Sequence, residues 1–257
     1  MYSRRSRGLS IGINLYPDKK SCPFNCPYCE VFPFSTDTKF SLTQLEEDLY
    51  SCFASLKKQN LPVKDVCFSG NGEPTLSPDF PAAFGLASAI MSDMAPDAEL
   101  VVITNGAGLL QPEIFSQLKE IANCPFYDIW LKLDAGTPDW YQKINRSTIP
   151  YNELIAAIKK ITTCAYVTIQ TMLCAIDDKI PPEEEVQSWE ELLTGLAAYG
   201  ETGMGGVKKV QLYGKARPAP EDPKALDLPI EYLEERATSL RYAFMERDIT
   251  NPVEVYK

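Results

Sequence analysis

Residues 65–95 read DVCFSGNGEPTLSPDFPAAFGLASAIMSDMA. An apolar, β-branched run opens the stretch, a loop of Gly, Asn, Pro and Ser follows, and apolar residues at helical spacing begin at Phe80. Strand, loop and helix in that order predict one unit of a parallel sheet, because parallel neighbours need a crossover long enough to hold a helix. The same order recurs on both sides. Upstream, LSIGINLY (9–16) precedes LTQLEEDLYSCFASLKKQ (42–59). Downstream, LVVITNG (100–106) precedes PEIFSQLKEI (112–121), and YDIWLKLDA (127–135) precedes YNELIAAIKKI (151–161). YVTIQTMLC (166–174) then precedes EEEVQSWEELLTGLAAY (183–199), and KVQLYGKA (209–216) precedes IEYLEERATSLRYAFMER (230–247). Ser41, Pro112 and the pair Pro181-Pro182 stand where helices start. Six such units with near-continuous apolar strands predict an α/β fold. The sheet is parallel and covered by helices, as an open partial barrel or as a doubly wound sheet. In either case ligands collect at the carboxyl ends of the strands.

The 257 residues contain no long linker, internal repeat or low-complexity segment, so one domain over 1–257 is expected. YGETGMGG (199–206) reads as a flexible loop and RPAPEDP (217–223) as a stiff one. No run of about eighteen apolar residues is present, and the basic N-terminal run is soon broken by Asn14 and Asp18, so a cytoplasmic chain without membrane attachment is expected. With 25 Lys and Arg against 35 Asp and Glu, the net charge of -10 repels polyanions unless a local patch compensates. There is no histidine, which removes Ser-His and Cys-His catalysis and every His-containing zinc pattern. Eight cysteines in such a chain argue for metal binding or reactivity where they cluster. Cys52, Cys67, Cys124, Cys164 and Cys174 are scattered and read as small buried hydrophobes, although Cys174 falls on the strand-end rim.

The remaining three cysteines, Cys22, Cys26 and Cys29, lie within SCPFNCPYCE (21–30), on a long loop of about residues 16–40 after the first strand. SGNGEPTLSP, TNGAG and DAGTPDWYQKINRS follow the second, third and fourth strands, so all four loops share one rim. Structural zinc asks for four protein ligands. A four-iron cluster held by three thiolates instead keeps one iron open to a ligand.

The C-x3-C-x2-C spacing on that loop resembles the radical S-adenosylmethionine (radical SAM) superfamily. Tyr28 stands where the family has an aromatic residue before the third cysteine. Gly70, Asn71, Gly72, Glu73 and Pro74 resemble its Gly-Gly-Glu-Pro segment, with Gly-Asn-Gly in place of the glycine pair. SRRSRGLSIGINLYP (3–17), LKLDAGTPDWYQKINR (131–146) and VQLYGKARP (210–218) resemble more narrowly the iron-sulfur oxidoreductases related to wyosine (tRNA) synthesis enzymes.

This resemblance implies a partial (βα)6 TIM-type barrel, with a [4Fe-4S] cluster on Cys22, Cys26 and Cys29. S-adenosylmethionine would be bound near Tyr28 and the 70–73 segment, with Glu73 facing its ammonium. It implies reductive cleavage to a 5'-deoxyadenosyl radical that takes hydrogen from a substrate, whether small molecule, RNA (a tRNA base included) or protein. The electron would come from a donor such as flavodoxin or ferredoxin. A glycyl-radical-enzyme activase and a non-catalytic iron-sulfur redox sensor are the alternatives.

Asn105, Lys132, Asp134, Gln170 and Gln211 complete the candidate cofactor contacts at the strand ends; no residue marks the catalytic step. Lys132 and Asp134 share one face of their strand, and either pair with each other or hold the cofactor. Gln170 and Gln211 are amides inside apolar strands, bonded to backbone or to cofactor. Arg4, Arg5 and Arg7, at the end away from the cysteines, read as a solvated basic tail or, less often for such a run, as an electrostatic grip on nucleic acid. Lys143, Arg146, Trp140 and Tyr141 read equally as a substrate-facing patch or as plain surface loop. Cys174 reads as buried packing.

Overall fold

The structure is a computed structural model that describes every residue except 218, 220, 221, 223 and 224. Six strand–helix units form its frame, at the places the sequence rhythm predicts. They are β2 (Gly8–Ile13) with α1 (Leu42–Lys58), β3 (Val63–Phe68) with α2 (Phe80–Met94) and β4 (Glu99–Thr104) with α3 (Pro112–Ala122). β5 (Tyr127–Lys132) is followed by two helices, α4 (Pro138–Ile144) and α5 (Tyr151–Thr162). β6 (Tyr166–Ile176) leads to α6 (Glu183–Ala197), and β7 (Gly206–Gly214) to α7 (Ile230–Met245). Three short strands complete the set: β1 (Tyr2–Ser3), β8 (Ala225–Asp227) and β9 (Val253–Tyr256).

The strands run in the order β1-β2-β3-β4-β5-β6-β7-β9, parallel from β2 onward, with β1 antiparallel to β2 and β8 antiparallel to the end of β6. The sheet curls into an open barrel. Its two edges approach closely enough for side chains to bridge them: Arg7, in the turn after β1, lies 3.7 Å from Glu254 of β9, and Arg4 donates to the carbonyl of Lys257.

Alternation along each strand divides the interior into two faces. Val66 and Phe68 of β3 point outward, where Phe68 packs edge-on against Phe80 at 5.6 Å and beside Phe84 at 5.8 Å. Each such side chain, fully buried, contributes roughly 1.5–3 kcal/mol. Asp65 and Cys67, between them in sequence, point into the barrel. Cys67, Val101 and Trp130 form a small apolar cluster there, with Ile103 against it, separate from the main core beneath the helices.

Helix starts follow their predicted signals. The Ser41 hydroxyl accepts from the backbone N–H of Gln44 at 3.3 Å, and prolines open α3 and α4. The flexible loop expected over 199–206 is in part a 3-10 turn, Ala198–Thr202, and the stiff loop over 217–223 falls largely outside the described residues. Among the described residues no helix is long and apolar enough to cross a membrane.

Candidate functional site

The cysteine loop leaves β2 at the carboxyl end of the barrel and is stitched to its neighbours by backbone hydrogen bonds. Ser21 N–H donates to Asn71 at 2.9 Å, and Glu73 N–H donates to Ser21 at 2.9 Å, so the loop lies as an extra strand along the 70–73 segment. Gly72 makes that approach feasible, since a Cβ there would sit 2.2 Å from the Ser21 carbonyl oxygen. Gly70 adopts φ +129°, a conformation open to glycine. On the other side Asn25 N–H donates to the Asn145 carbonyl at 3.0 Å.

Within the loop the thiols draw N–H donors. Phe24 N–H and Asn105 Nδ2 each lie 3.4 Å from Cys22 Sγ, and Asn145 Nδ2 lies 3.6 Å from Cys26 Sγ. Although Cys22 is an exposed residue, desolvation around its sulfur pushes the thiol up to about 12, with Glu73, Cys26 and Cys29 adding to the effect. Burial likewise raises Cys26. Among the described residues no His, Cys, Asp or Glu side chains converge on a single metal ion. A four-iron cluster asks something different: one thiolate for each of three irons, with N–H donors around the sulfurs. Three free thiols on one short loop, close enough to act on one another and supplied with such donors, fit that demand.

Glu73 is 2% exposed and ties two strand ends together. Its Oε1 accepts from Thr75 Oγ1 and Thr104 Oγ1, both at 2.6 Å, and from Thr75 N–H at 3.2 Å; its Oε2 accepts from Asn105 N–H at 2.7 Å. Burial raises its pKa, against the pull of those donors. Acceptor capacity therefore remains at Oε2. Asn105 bridges this carboxylate, through its backbone, to Cys22, through its amide.

Lys132 and Asp134 meet each other at 3.6 Å. Asp134 is a hub. It accepts from the Tyr28 hydroxyl, from Asn145 Nδ2 at 2.8 Å and from Met172 N–H at 2.9 Å. Burial favours neutral Lys132, but Asp134, with Tyr213 and Cys26 behind it, outweighs that and leaves its pKa raised. The Lys132 ammonium also lies 4.5 Å from the Tyr28 ring centroid and donates to the Tyr213 hydroxyl. Gln170 donates to Gln211 Oε1 at 2.7 Å, so the two amides bond to each other instead of to backbone.

The chain's own groups thus take up most of the predicted strand-end contacts, and two readings need correction. Arg5 is no solvated tail: β1 folds it back into the barrel, where its guanidinium lies 5.6 Å from the Trp130 ring centroid and 5.2 Å from that of Tyr213, and donates to Gln170 Oε1 at 3.2 Å. Trp140 and Tyr141 are buried on α4, with Tyr141 edge-on to Phe24 at 5.8 Å, and so form neither an exposed patch nor a surface loop. Arg146 pairs with Asp222 at 2.6 Å, and Lys143 is exposed. Of the scattered cysteines, Cys67 and Cys174 are buried, as expected, whereas Cys52, Cys124 and Cys164 are only half-buried. Asn145, Thr104 and Tyr213 escaped sequence reasoning; for Asn145 the available signal was the Thr137-Pro138 helix start just upstream, which places it at the end of a short helix.

Inside the barrel lies a cavity of about 630 Å³, running from Arg5 past Cys67 and Trp130 to Tyr28 and Glu30 on the cysteine loop. A second concavity of about 790 Å³ lies outside, along α3 and Lys160 of α5; the three cysteines line neither, but Tyr28 and Glu30, on either side of Cys29, line the first.

A profile of the radical SAM superfamily matches residues 19–179, more than half of the chain. A UPF0026 protein of Helicobacter pylori is 27% identical over 155 residues, which cover 60% of this chain and 46% of that protein. The chain thus spans less than half the length of that relative. Among solved structures, a radical SAM methyltransferase from Sphaerobacter thermophilus superposes with a TM-score of 0.66 at 15% identity, covering 96% of this chain and 65% of that one. SuiB of Streptococcus suis, solved with S-adenosylmethionine, superposes with a TM-score of 0.68 at 12% identity, covering 97% of this chain and 51% of that one. At such identities the likeness concerns the fold. The narrower kinship with wyosine enzymes draws no support from these relatives.

Proposed function

Because this chain belongs to the radical SAM superfamily, we propose that it is a radical enzyme whose cluster is held by Cys22, Cys26 and Cys29 and whose substrate occupies the barrel cavity. The observation that carries this reading is the cysteine loop itself: three free thiols within eight residues, pinned to the strand-end rim by Gly72 on one side and Asn145 on the other. When bound, the cluster and S-adenosylmethionine supply one-electron cleavage to a 5'-deoxyadenosyl radical that takes a hydrogen atom from substrate.

The chain's part is to hold and to exclude. Asn105 and Asn145 direct N–H donors at the Cys22 and Cys26 sulfurs, which would stabilise electron density added to a cluster held there. Glu73, at Oε2, offers an acceptor to the cofactor's ammonium, and the Gly70–Gly72 backbone allows close approach. Lys132 pairs with Asp134 and Gln170 with Gln211, and both pairs brace the inner wall of the barrel.

The cavity admits a small molecule or the protruding end of a larger one, RNA and protein included. A one-electron donor protein of the flavodoxin or ferredoxin kind completes the system. Eight free cysteines suit a reducing compartment, and we assign the cytoplasm.

The test is anaerobic reconstitution with iron and sulfide, addition of dithionite and S-adenosylmethionine, and quantification of 5'-deoxyadenosine. Native protein should form it and Cys26→Ala should not. A well-formed native cluster that binds no S-adenosylmethionine would favour the redox-sensing alternative.

A further inference from the structure

The barrel cavity, read above as the substrate chamber, keeps two opposite charges that the chain does not pair. Arg5 projects into it from the turn after β1 and donates one hydrogen bond, to Gln170 Oε1. A guanidinium has five N–H donors, and among the described residues Arg5 makes no ion pair. Asp65 lines the same cavity from β3 and is 2% exposed. Its Oδ1 accepts from Ser10 Oγ at 2.6 Å, while its Oδ2 is buried and meets no donor among the described residues. Both groups act on Cys67, which shares the inward face of β3: Asp65 pushes that thiol's pKa up and Arg5 draws it down. They flank one stretch of wall without pairing with each other.

An unpaired buried carboxylate oxygen is costly, and a guanidinium fork suits an oxyanion. A ligand carrying both charges would satisfy both groups at once. The wall around them, Cys67, Val101, Trp130 and Ile103, is apolar, which suits a hydrocarbon or aromatic spacer.

We propose that the cavity floor recognises a zwitterion, with a protonated amine on the Asp65 carboxylate and a carboxylate or phosphate on the Arg5 guanidinium. The far end of the substrate is anchored there, and its reacting part faces Tyr28 and the cysteine loop. This rests on the reading of the cavity as a substrate chamber.

Anaerobic calorimetry on the whole chain, with and without its cluster, tests it. The probes are a series of short ω-amino carboxylates and aminoalkyl phosphates, beside the alkylamines and alkyl carboxylates of matching length. For one length, an amino-oxyanion should bind at least about tenfold more tightly than either matched half. Whether carboxylate or phosphate gives the tighter complex identifies the oxyanion. Arg5→Gln should reduce the affinity to that of the amine, and Asp65→Asn to that of the acid. If the two-charge probes bind no better than their halves, or nothing binds, the proposal falls. Arg5 then serves only to tie the N-terminal turn to Gln170, and Asp65 only to hold Ser10. The probe series on native protein decides this even should a variant fail to fold. Native protein that forms 5'-deoxyadenosine yet shows no zwitterion preference overturns this proposal alone. Protein that shows the preference but never cleaves S-adenosylmethionine overturns the enzymatic reading alone.

Discussion

Glu73 shows how a single buried carboxylate serves a strand-end site. Four donors from Thr75, Thr104 and Asn105 converge on it, so removing it leaves two hydroxyls and two backbone N–H groups unsatisfied in a dry region. Glu73→Ala should destabilise the fold by about 2–4 kcal/mol, read as a lowered denaturant midpoint, besides losing S-adenosylmethionine in a binding assay. Glu73→Gln keeps the shape and should lose less stability. Asn145→Ala should leave the fold largely intact while removing an N–H donor from Cys26, so the cluster's reduction potential should fall; a redox titration followed by electron paramagnetic resonance checks it. Legibility at this scale divides cleanly. The cysteines, Glu73 and Asn105 carry local patterns that survive in a linear string. The Gln170–Gln211 pair, the Asp134 hub and the place of Arg5 depend on which strands become neighbours and on a chain that doubles back. No local spacing encodes that.

Among the elements, the six strand–helix units were readable because each strand is a β-branched apolar run and each helix has a full amphipathic period. The missed elements are short. α4 spans seven residues, too few for periodicity to emerge, and only the Thr137-Pro138 start marks it. β1, β8 and β9 have two to four residues and form because sheet edges present unpaired backbone groups. The seam between the cysteine loop and the 70–73 segment is equally short, and it depends on Gly72. Gly72→Ala would press a methyl group into the Ser21 carbonyl and the Tyr16 ring, so the loop must lift. Iron incorporated on reconstitution should fall several-fold while far-ultraviolet circular dichroism stays native, since the seam lies outside the six units.

Over the whole molecule, charge lines the barrel floor as well as its surface. Burial raises the pKa of Glu99 on β4, with Asp128 and Asp65 adding and Lys209 and Lys208 opposing. A carboxyl whose folded pKa is raised favours folding below its unfolded value, near the ordinary 4.5, and loses that contribution as pH rises through the folded pKa. Glu99→Gln should therefore melt higher than native protein at neutral pH, and the gain should vanish as pH falls below 4.5, in thermal melts across pH. The open-barrel outcome agrees with the expectation, but the side-chain bridge from the N-terminal turn to β9 was not visible in the sequence, because ion pairs between distant segments leave no periodic trace.

The clamp that Asn145 places on the cysteine loop has a consequence in time. The amide lies 119 residues downstream of Cys26. At a synthesis rate of roughly 5–20 residues per second, the thiols wait on the order of ten seconds before their clamp is made. During that interval they are unsheltered on a nascent chain, open to oxidation or to stray metal. Their fate on the ribosome is governed by the redox state of the surroundings, before any architecture exists to protect them.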